Sequence, residues 1–441
     1  MRAHGKQAYF VGGCVRDLLL GAAPKDYDIA TDATPDEVLG LFPSSRRAGA
    51  HFGVILVTED GAEVEVATFR SDHSYHDGRH PERVEFESDP RRDVLRRDFT
   101  VNALLYDPIT GEVTDYAGGR RDLQDRVLRA IGDPDARLRE DLLRMLRAVR
   151  FAARLGFTID PATFEAIRRN RTGIHRVAAE RVRDEIVRIL TEGGARRGFE
   201  LLEETGLLAE VLPEVAAMRG VLQPPEFHPE GDVWTHTLLM LEAMGKPVVT
   251  LALAVLLHDA GKPPTFRAAG RIRFDGHAEL GARMARGILS RLRFSNAEIG
   301  QVESLVAHHL RFKDVRSMRE STLKRFLRMD RFDEHLELHR LDCISSHRNL
   351  GNYDFVKARL AELPAAQLRP PRLITGRDLI AAGYHPGPPF ANILQQVEDA
   401  QLEGRLDDRE AALRWVEENF APPGGEPRHP PGAASTSPST G

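Results

Sequence analysis

Cysteine is almost absent from the chain. Cys14 and Cys343 are the only two in 441 residues, which excludes a disulfide framework and a cysteine-rich zinc module and fits a reducing cytoplasm. Long hydrophobic runs are missing too. The longest mostly apolar stretch, Pro247–Leu257, is far short of the roughly 20 residues that a membrane-spanning helix needs. The N-terminus, Met1-Arg-Ala-His-Gly-Lys-Gln, carries no apolar signal core, so neither secretion nor a membrane is expected. Nor is there an excess of positive charge. With 61 basic and 66 acidic residues the net charge is −5, so any nucleic-acid partner must be held by a local patch rather than by a polycationic body or tail.

What remains is a soluble globular composition, 41% hydrophobic and 29% charged, in a chain long enough for about three domains. Residues 1–132 alternate short β-type and helical runs, the pattern of a mixed α/β head. Tyr9–Val11, Asp28–Ala30, Gly53–Thr58 and Glu63–Thr68 read as strands, with Asp60-Gly61 as a hairpin turn between the last two. From about Asp133 apolar residues recur at helical spacing over 137–151, 160–170, 179–192 and 196–211. Gln223-Pro-Pro-Glu-Phe-His-Pro reads as a linker. The expected organisation is therefore a head at 1–132, an all-α neck at 133–222, a helical domain at 228–363 and a small helical unit at 370–420. Residues 421–441, with six Pro and four Gly, read as a disordered tail.

Two constellations in the head carry chemistry. Phe10-Val-Gly-Gly-Cys-Val-Arg-Asp-Leu-Leu-Leu-Gly reads as a strand, a glycine pair and a helix. Gly12 and Gly13 let backbone approach a ligand, the helix start favours a phosphate, and Arg16 offers a charged donor to it. Lys25-Asp-Tyr-Asp-Ile follows, and in an extended chain Asp26 and Asp28 share one face about 6–7 Å apart. Adjacent carboxylates repel unless a cation sits between them, and Mg²⁺ with oxygen ligands fits. A third carboxylate would complete a two-metal site. Glu63 and Glu65 both qualify, because a period of two places them on one face.

These residues resemble the catalytic signature of the bacterial-type CCA-adding tRNA nucleotidyltransferase and poly(A) polymerase family. The likeness continues in Arg96-Arg-Asp-Phe-Thr-Val-Asn-Ala-Leu, in Gly132-Asp-Pro and in Glu140-Asp-Leu-Leu-Arg-Met-Leu-Arg-Ala-Val-Arg-Phe. It implies a nucleotidyltransferase head in which Asp26 and Asp28 hold Mg²⁺ and Glu65 is the third carboxylate. It also implies CTP, ATP and the tRNA 3′ acceptor end as partners. Arg97 is carried over as a nucleotide contact and Asp98 as its orienter. The polar stretch Arg70–Glu82 reads as a mobile loop, and its presence resembles family members able to add the terminal A.

Read from the residues alone, Asp141, Arg144, Arg147 and Arg150 form one curving polar stripe on a helix, spaced by three. A carboxylate that accepts from an exocyclic amine, beside a guanidinium that donates to a ring nitrogen, selects cytosine and adenine over guanine and uracil without a template. The resemblance gives Asp141 and Arg144 this role, with Arg147 and Arg150 in support. Arg181, Arg183 and Arg311 read as solvated surface residues.

The helical half carries His236, then His258-Asp259-Ala-Gly-Lys262, then Asp342, which resembles the HD phosphohydrolase superfamily. That likeness implies an HD-type helical domain and a second divalent site (Mg²⁺, Mn²⁺ or Ni²⁺) at His236, His258, Asp259 and Asp342, extendable through His277 and His308-His309. Three enzyme readings compete: CCA or terminal-A addition to tRNA, poly(A) synthesis, and metal-dependent phosphohydrolysis. The second is disfavoured because residues 421–441 hold one Glu and one Arg instead of a basic extension.

Overall fold

A computed structural model describes residues 1–49, 53–59, 61–75 and 81–420. The hairpin turn at Asp60 and the tail at 421–441 lie outside the described residues. The chain divides into two compact units, Met1–Ala307 with Ser345–His347, and His308–Ile344 with Arg348–Gly441.

The first unit opens with strand β1 (Ala8–Val11), helix α1 (Gly13–Leu19), β2 (Asp28–Thr31), α2 (Pro35–Leu41), β3 (Arg46–Gly49), β4 (Val54–Glu59) and β5 (Ala62–Thr68). Then come β6 (Arg70–Tyr75), β7 (Pro81–Phe86), α3 (Pro90–Leu95), β8 (Leu104–Tyr106), β9 (Val113–Asp115), α4 (Gly119–Asp125) and β10 (Val127–Leu128). Seven strands form one mixed sheet in the order β3-β4-β5-β2-β1-β8-β9. Only β2 and β5 in it run parallel. Alternation along the strands buries the sheet on both faces. Ala33, Val38, Ile55, Val57 and Val66 pack on one side, and Val11, Ala30, Phe69, Val94 and Leu105 form a separate cluster. The four strands expected from the sequence are present. The Arg70–Glu82 stretch differs from the expected loop: its described ends pair as an antiparallel ribbon, β6 with β7.

The neck is α5 (Pro134–Glu140), α6 (Arg144–Leu155), β11 (Thr158–Ile159), α7 (Pro161–Asn170), α8 (Ala179–Thr191), α9 (Ala195–Glu204), α10 (Leu207–Val211) and α11 (Pro213–Ala216). The Gly132-Asp-Pro motif has a local cause. Asp133 caps α5 by accepting from Ala136 N, and Pro134 occupies the first turn, where its missing N–H costs nothing. Next are α12 (Val233–Ala243), α13 (Val249–Leu257), α14 (Lys262–Thr265), the ribbon β12 (Arg267–Ala269) with β13 (Arg271–Arg273), α15 (His277–Arg291) and α16 (Asn296–His308). Helix α13 is buried at every position from Thr250 to Leu257, so its apolar run is a core helix. Among the described residues no helix is long and apolar enough to cross a membrane.

The second unit holds α17 (Glu320–Leu327), α18 (Phe332–Ser345), α19 (Gly351–Glu362), α20 (Ala365–Leu368), α21 (Gly376–Ala381), α22 (Pro389–Leu402) and α23 (Arg409–Asn419). It has one cluster around Phe312, Phe326 and Phe332 and another running from Ile374 to Val416.

Candidate functional site

The head site is built where β1 turns into α1. Gly12 has φ +76° and ψ −134°, a conformation that costs any residue with a Cβ. A Cβ there would sit 3.6 Å from Asp28 Oδ2 and 3.6 Å from Arg97 Nη1, so the turn lies directly against both groups. Asp28 opens β2 opposite Val11, and on its other side it is in parallel register with Glu65. In-register neighbours point to the same face, so the register separates the two glutamates that spacing left open: Glu65 stands beside Asp28, while Glu63 pairs with Arg46 at 3.0 Å. Asp26 lies in the bend before β2 rather than on the strand itself. Burial, then the Glu65 charge, push the Asp28 carboxyl above its ordinary value, with Asp26 adding to the push and Arg97 opposing it.

A cleft of about 660 Å³ opens from this point and is lined by Gly12, Gly13, Lys25, Asp26, Asp28, Arg97, Asp141, Arg144 and Arg147 among others. Cationic side chains in its wall outnumber acidic ones ten to six, which inverts the balance of the whole chain. The local patch required by the net charge is here.

Beneath the cleft runs a hydrogen-bonded chain of side chains. Asp98 accepts from Arg147 Nε and Nη2 at 2.9 and 2.6 Å and from Asn102 Nδ2 at 3.1 Å. Asn102 Oδ1 in turn accepts from Arg16 at 2.7 Å. Burial works against the Asp98 charge, but the Arg147 guanidinium prevails and holds the carboxyl down at about 2. Arg16, expected to donate to a phosphate, lines the cleft. It is 2% exposed and spends its donors on Asp17 and Asn102, so it braces the glycine turn from below.

The expected single stripe Asp141–Arg144–Arg147–Arg150 is corrected in two places. First, α5 ends at Glu140 and α6 begins at Arg144, and Asp141 between them is extended, with φ −145°. Asp141 therefore projects from a helix junction. It accepts two hydrogen bonds from Arg181 of α8, at 3.2 and 2.8 Å, whereas Arg144 pairs with Glu140 at 2.5 Å. Second, Arg150 is 4% exposed and bonds Glu185 at 2.6 Å and Glu192 at 3.3 Å. It fastens α6 to α8. The guanidiniums of Arg16, Arg147 and Arg150 all lie over the ring of Phe151, at 5.2, 5.3 and 4.2 Å, which keeps the arginine ends ordered.

In the helical half His236, His258 and Asp259 come together, with ligand atoms within 4.8 Å of one another. A second group sharing His236 adds His228 and Glu230. His236 and His258 pack edge to face at 5.5 Å. Lys262 Nζ lies 2.7 Å from Asp259 and donates to Gln223 at 2.5 Å. The glycine of His-Asp-Ala-Gly-Lys has a steric reason: a Cβ on Gly261 would meet the His277 carbonyl oxygen at 2.1 Å. Asp342 belongs to α18 in the second unit.

Three family models match along the chain: the poly A polymerase head domain over residues 8–129, a probable RNA-binding site of polymerase A over 156–219, and the HD domain over 232–338. The CCA-adding enzyme of Bacillus pumilus is 42% identical over 211 residues, 48% of this chain and 52% of that protein. That of Geobacillus thermodenitrificans is 44% identical over 216 residues, 49% and 53%. Over the matched half, the chain is similar to the CCA-adding enzymes. It spans about half the length of the curated relatives it matches. In three dimensions it resembles the Bacillus stearothermophilus CCA-adding enzyme crystallised with CTP, at a TM-score of 0.72 and 27% identity over 95% of this chain and 94% of that one.

Sequence reasoning missed the placement of Arg181, His228 and Glu230. Arg181 was visible only as one surface arginine among many, since its partner lies 40 residues away. His228 and Glu230 had a local signal, an acidic residue two positions after a histidine and shortly before His236.

Proposed function

We propose that the chain adds nucleotides from CTP and ATP to the 3′ end of tRNA, building CCA or its terminal A. The observation that best supports this is the register that sets Asp28 beside Glu65 and against Gly12, in a cationic cleft that also holds Asp141 and Arg144. Asp26, Asp28 and Glu65 are a hard-oxygen set, and burial followed by the neighbouring carboxylate charges raises the Asp28 pKa, which fits Mg²⁺ as the resident cation. Bound there, Mg²⁺ would neutralise charge on the attacking and leaving oxygens.

The chain's own residues do the rest. Gly12 and Gly13 admit the triphosphate close to backbone, and Arg97 stands beside it. Asp141 has lone pairs left after binding Arg181 and accepts from the exocyclic amine of cytosine or adenine, while Arg144 donates to the ring nitrogen. Arg147, fixed by Asp98, supports the nucleotide, and Arg150 holds the helix that carries these groups. The ribose 3′-oxygen attacks the α-phosphorus, the bond to the β-phosphate oxygen breaks, and pyrophosphate leaves. Two buried free cysteines suit a reducing cytoplasm for this work.

Incubation with tRNAs ending before CCA, after C and after CC, each with one nucleotide, tests the reading. CTP should extend the first two, or ATP only the third. Failure to extend any of them, or long adenylate tails on arbitrary RNA, would overturn it, the latter in favour of a poly(A) polymerase.

The His236–His258–Asp259 cluster supports a second activity, metal-dependent hydrolysis of phosphate esters. Its mixed imidazole and carboxylate donors suit Mn²⁺ or Ni²⁺ better than Mg²⁺. Metal retained after dialysis, and lost in a His258→Ala variant, is the expected result.

A further inference from the structure

The ribbon β12–β13 rises between two groups of the histidine cluster, with Lys262 before it and His277 after it. Its register places Arg267 directly opposite Arg273. Arg271 lies two residues from Arg273 on the same strand, so all three guanidiniums share one face. Like charges opposite one another on a two-stranded ribbon are destabilising. Among the described residues none of the three arginines is held in an ion pair, and each is exposed. No ion pair among the described residues offsets this repulsion, as expected of a face that meets a polyanion.

The surroundings favour one kind of polyanion. Phe266, at the foot of the ribbon, is 40% exposed, and Phe227 in the preceding linker is 62% exposed. The two segments meet at Lys262, whose Nζ bonds Gln223 at 2.5 Å and lies 5.3 Å from the centre of the Phe274 ring. Arginines that contact phosphates, interleaved with open aromatic rings that take bases, are the means of binding a single nucleic-acid strand. An acidic peptide would use the charges and leave the rings idle. Arg271 and Arg273 are about 6–7 Å apart along the strand, a separation of the order of that between successive phosphates in an extended chain.

We propose that Arg267, Arg271 and Arg273 form a phosphate-binding face for single-stranded RNA beside the histidine cluster, distinct from the head cleft. It does not rest on nucleotide addition by the head. The test is fluorescence anisotropy of a labelled 12-nucleotide single-stranded RNA with the full chain across a salt series. Replacing Arg267→Gln, Arg271→Gln and Arg273→Gln together should weaken binding tenfold or more at low salt. Three lost phosphate contacts should also lower the slope of log affinity against log salt by about 2. The matching triple Lys variant should keep the slope. CTP affinity and thermal midpoint, unchanged in both variants, confirm that the fold is intact. Unchanged RNA affinity would overturn the proposal, as would a loss without a change of slope. So would polyglutamate that binds as tightly as the RNA and loses the same factor in the Gln variant, which would mark an acidic-protein surface instead.

Discussion

Asp28 in the head and Asp259 in the helical half are both aspartates among ionisable neighbours, yet their carboxyls are displaced in opposite directions. Asp28 is pushed up by burial and by the Glu65 charge, with only Arg97 opposing. Asp259 is more deeply buried, which also favours its neutral form, but His258 and Lys262 overcome that and hold it well below its ordinary value. In the head, Arg97 does not offset burial and the neighbouring carboxylates at Asp28, which agrees with the proposed reading in which a cation from solution completes the site. The histidine cluster carries its own counter-charge, with Lys262 Nζ 2.7 Å from the carboxylate. The first is what the proposed metal–nucleotide complex would require. The other is neutralised within the fold before anything binds.

The contrast breaks or holds on a pair of matched substitutions. Asp28→Asn should lower nucleotide addition about 1,000-fold, since the several kcal/mol of charge stabilisation at phosphorus depend on it. Its folding stability should stay level or rise, because a repulsive contact with Glu65 is removed. Asp259→Asn should do the reverse. Leaving Lys262 buried without its carboxylate costs about 3 kcal/mol, while extension of tRNA continues. Initial rates and urea unfolding of both variants decide it, and equal stability losses would remove the distinction.

A smaller effect is expected at Asp141. Asp141→Asn keeps an oxygen acceptor but adds a donor amide, so cytosine and adenine should lose about 10- to 100-fold in kcat/KM relative to uracil and guanine. The loss should be specific to the base: an Arg181→Ala variant, which keeps the carboxylate but removes its anchor at 2.8 Å, should cost less and affect CTP and ATP alike. Competition assays with paired nucleotides measure both.

How far the sequence reveals these sites depends on whether the relevant spacing is local. Strands β1, β2, β4 and β5 follow from alternation and turn residues, and the nearness of the glycine turn to Asp28 is legible because they lie within twenty residues of one another, although Asp26 sits in the bend before β2 and not on the strand. The choice of Glu65 over Glu63 is not local. It needs the parallel register of β2 with β5, and period two treats the glutamates alike. Residues 137–151 show one unbroken helical period, but the chain turns at Asp141, and only the bidentate bond to Arg181 reveals what that turn is for. Arg150 fails in the opposite way. Its spacing from Arg147 suggests a shared face, whereas Glu185 on α8 draws it into the interior. The ribbon β6–β7 escapes notice because pairing, not propensity, makes polar residues such as Arg70 and Ser71 into a strand.

The smallest effect concerns acid, and it separates two aspartates of the head by sign. Asp98 has a folded pKa of about 2 against about 3.9 for an unperturbed aspartate. A depressed folded value means that its contribution is complete above the unfolded pKa and disappears as pH falls through the folded one. Roughly 2 kcal/mol of head stability should therefore be present at pH 5 and lost between about pH 4 and pH 2. Asp98→Asn should remove that portion of the acid dependence, so the gap in unfolding free energy between the two proteins narrows as pH falls through the window. Asp28, whose carboxyl is displaced upward by burial and the Glu65 charge, contributes with the opposite sign: its folded form takes up a proton more readily than its unfolded form, so acid favours folding at that residue. A gap that stays constant from pH 5 to pH 2 would mean that the Arg147 pair adds no net stability to the charged form and that the floor of the cleft is held by packing around Phe151 instead.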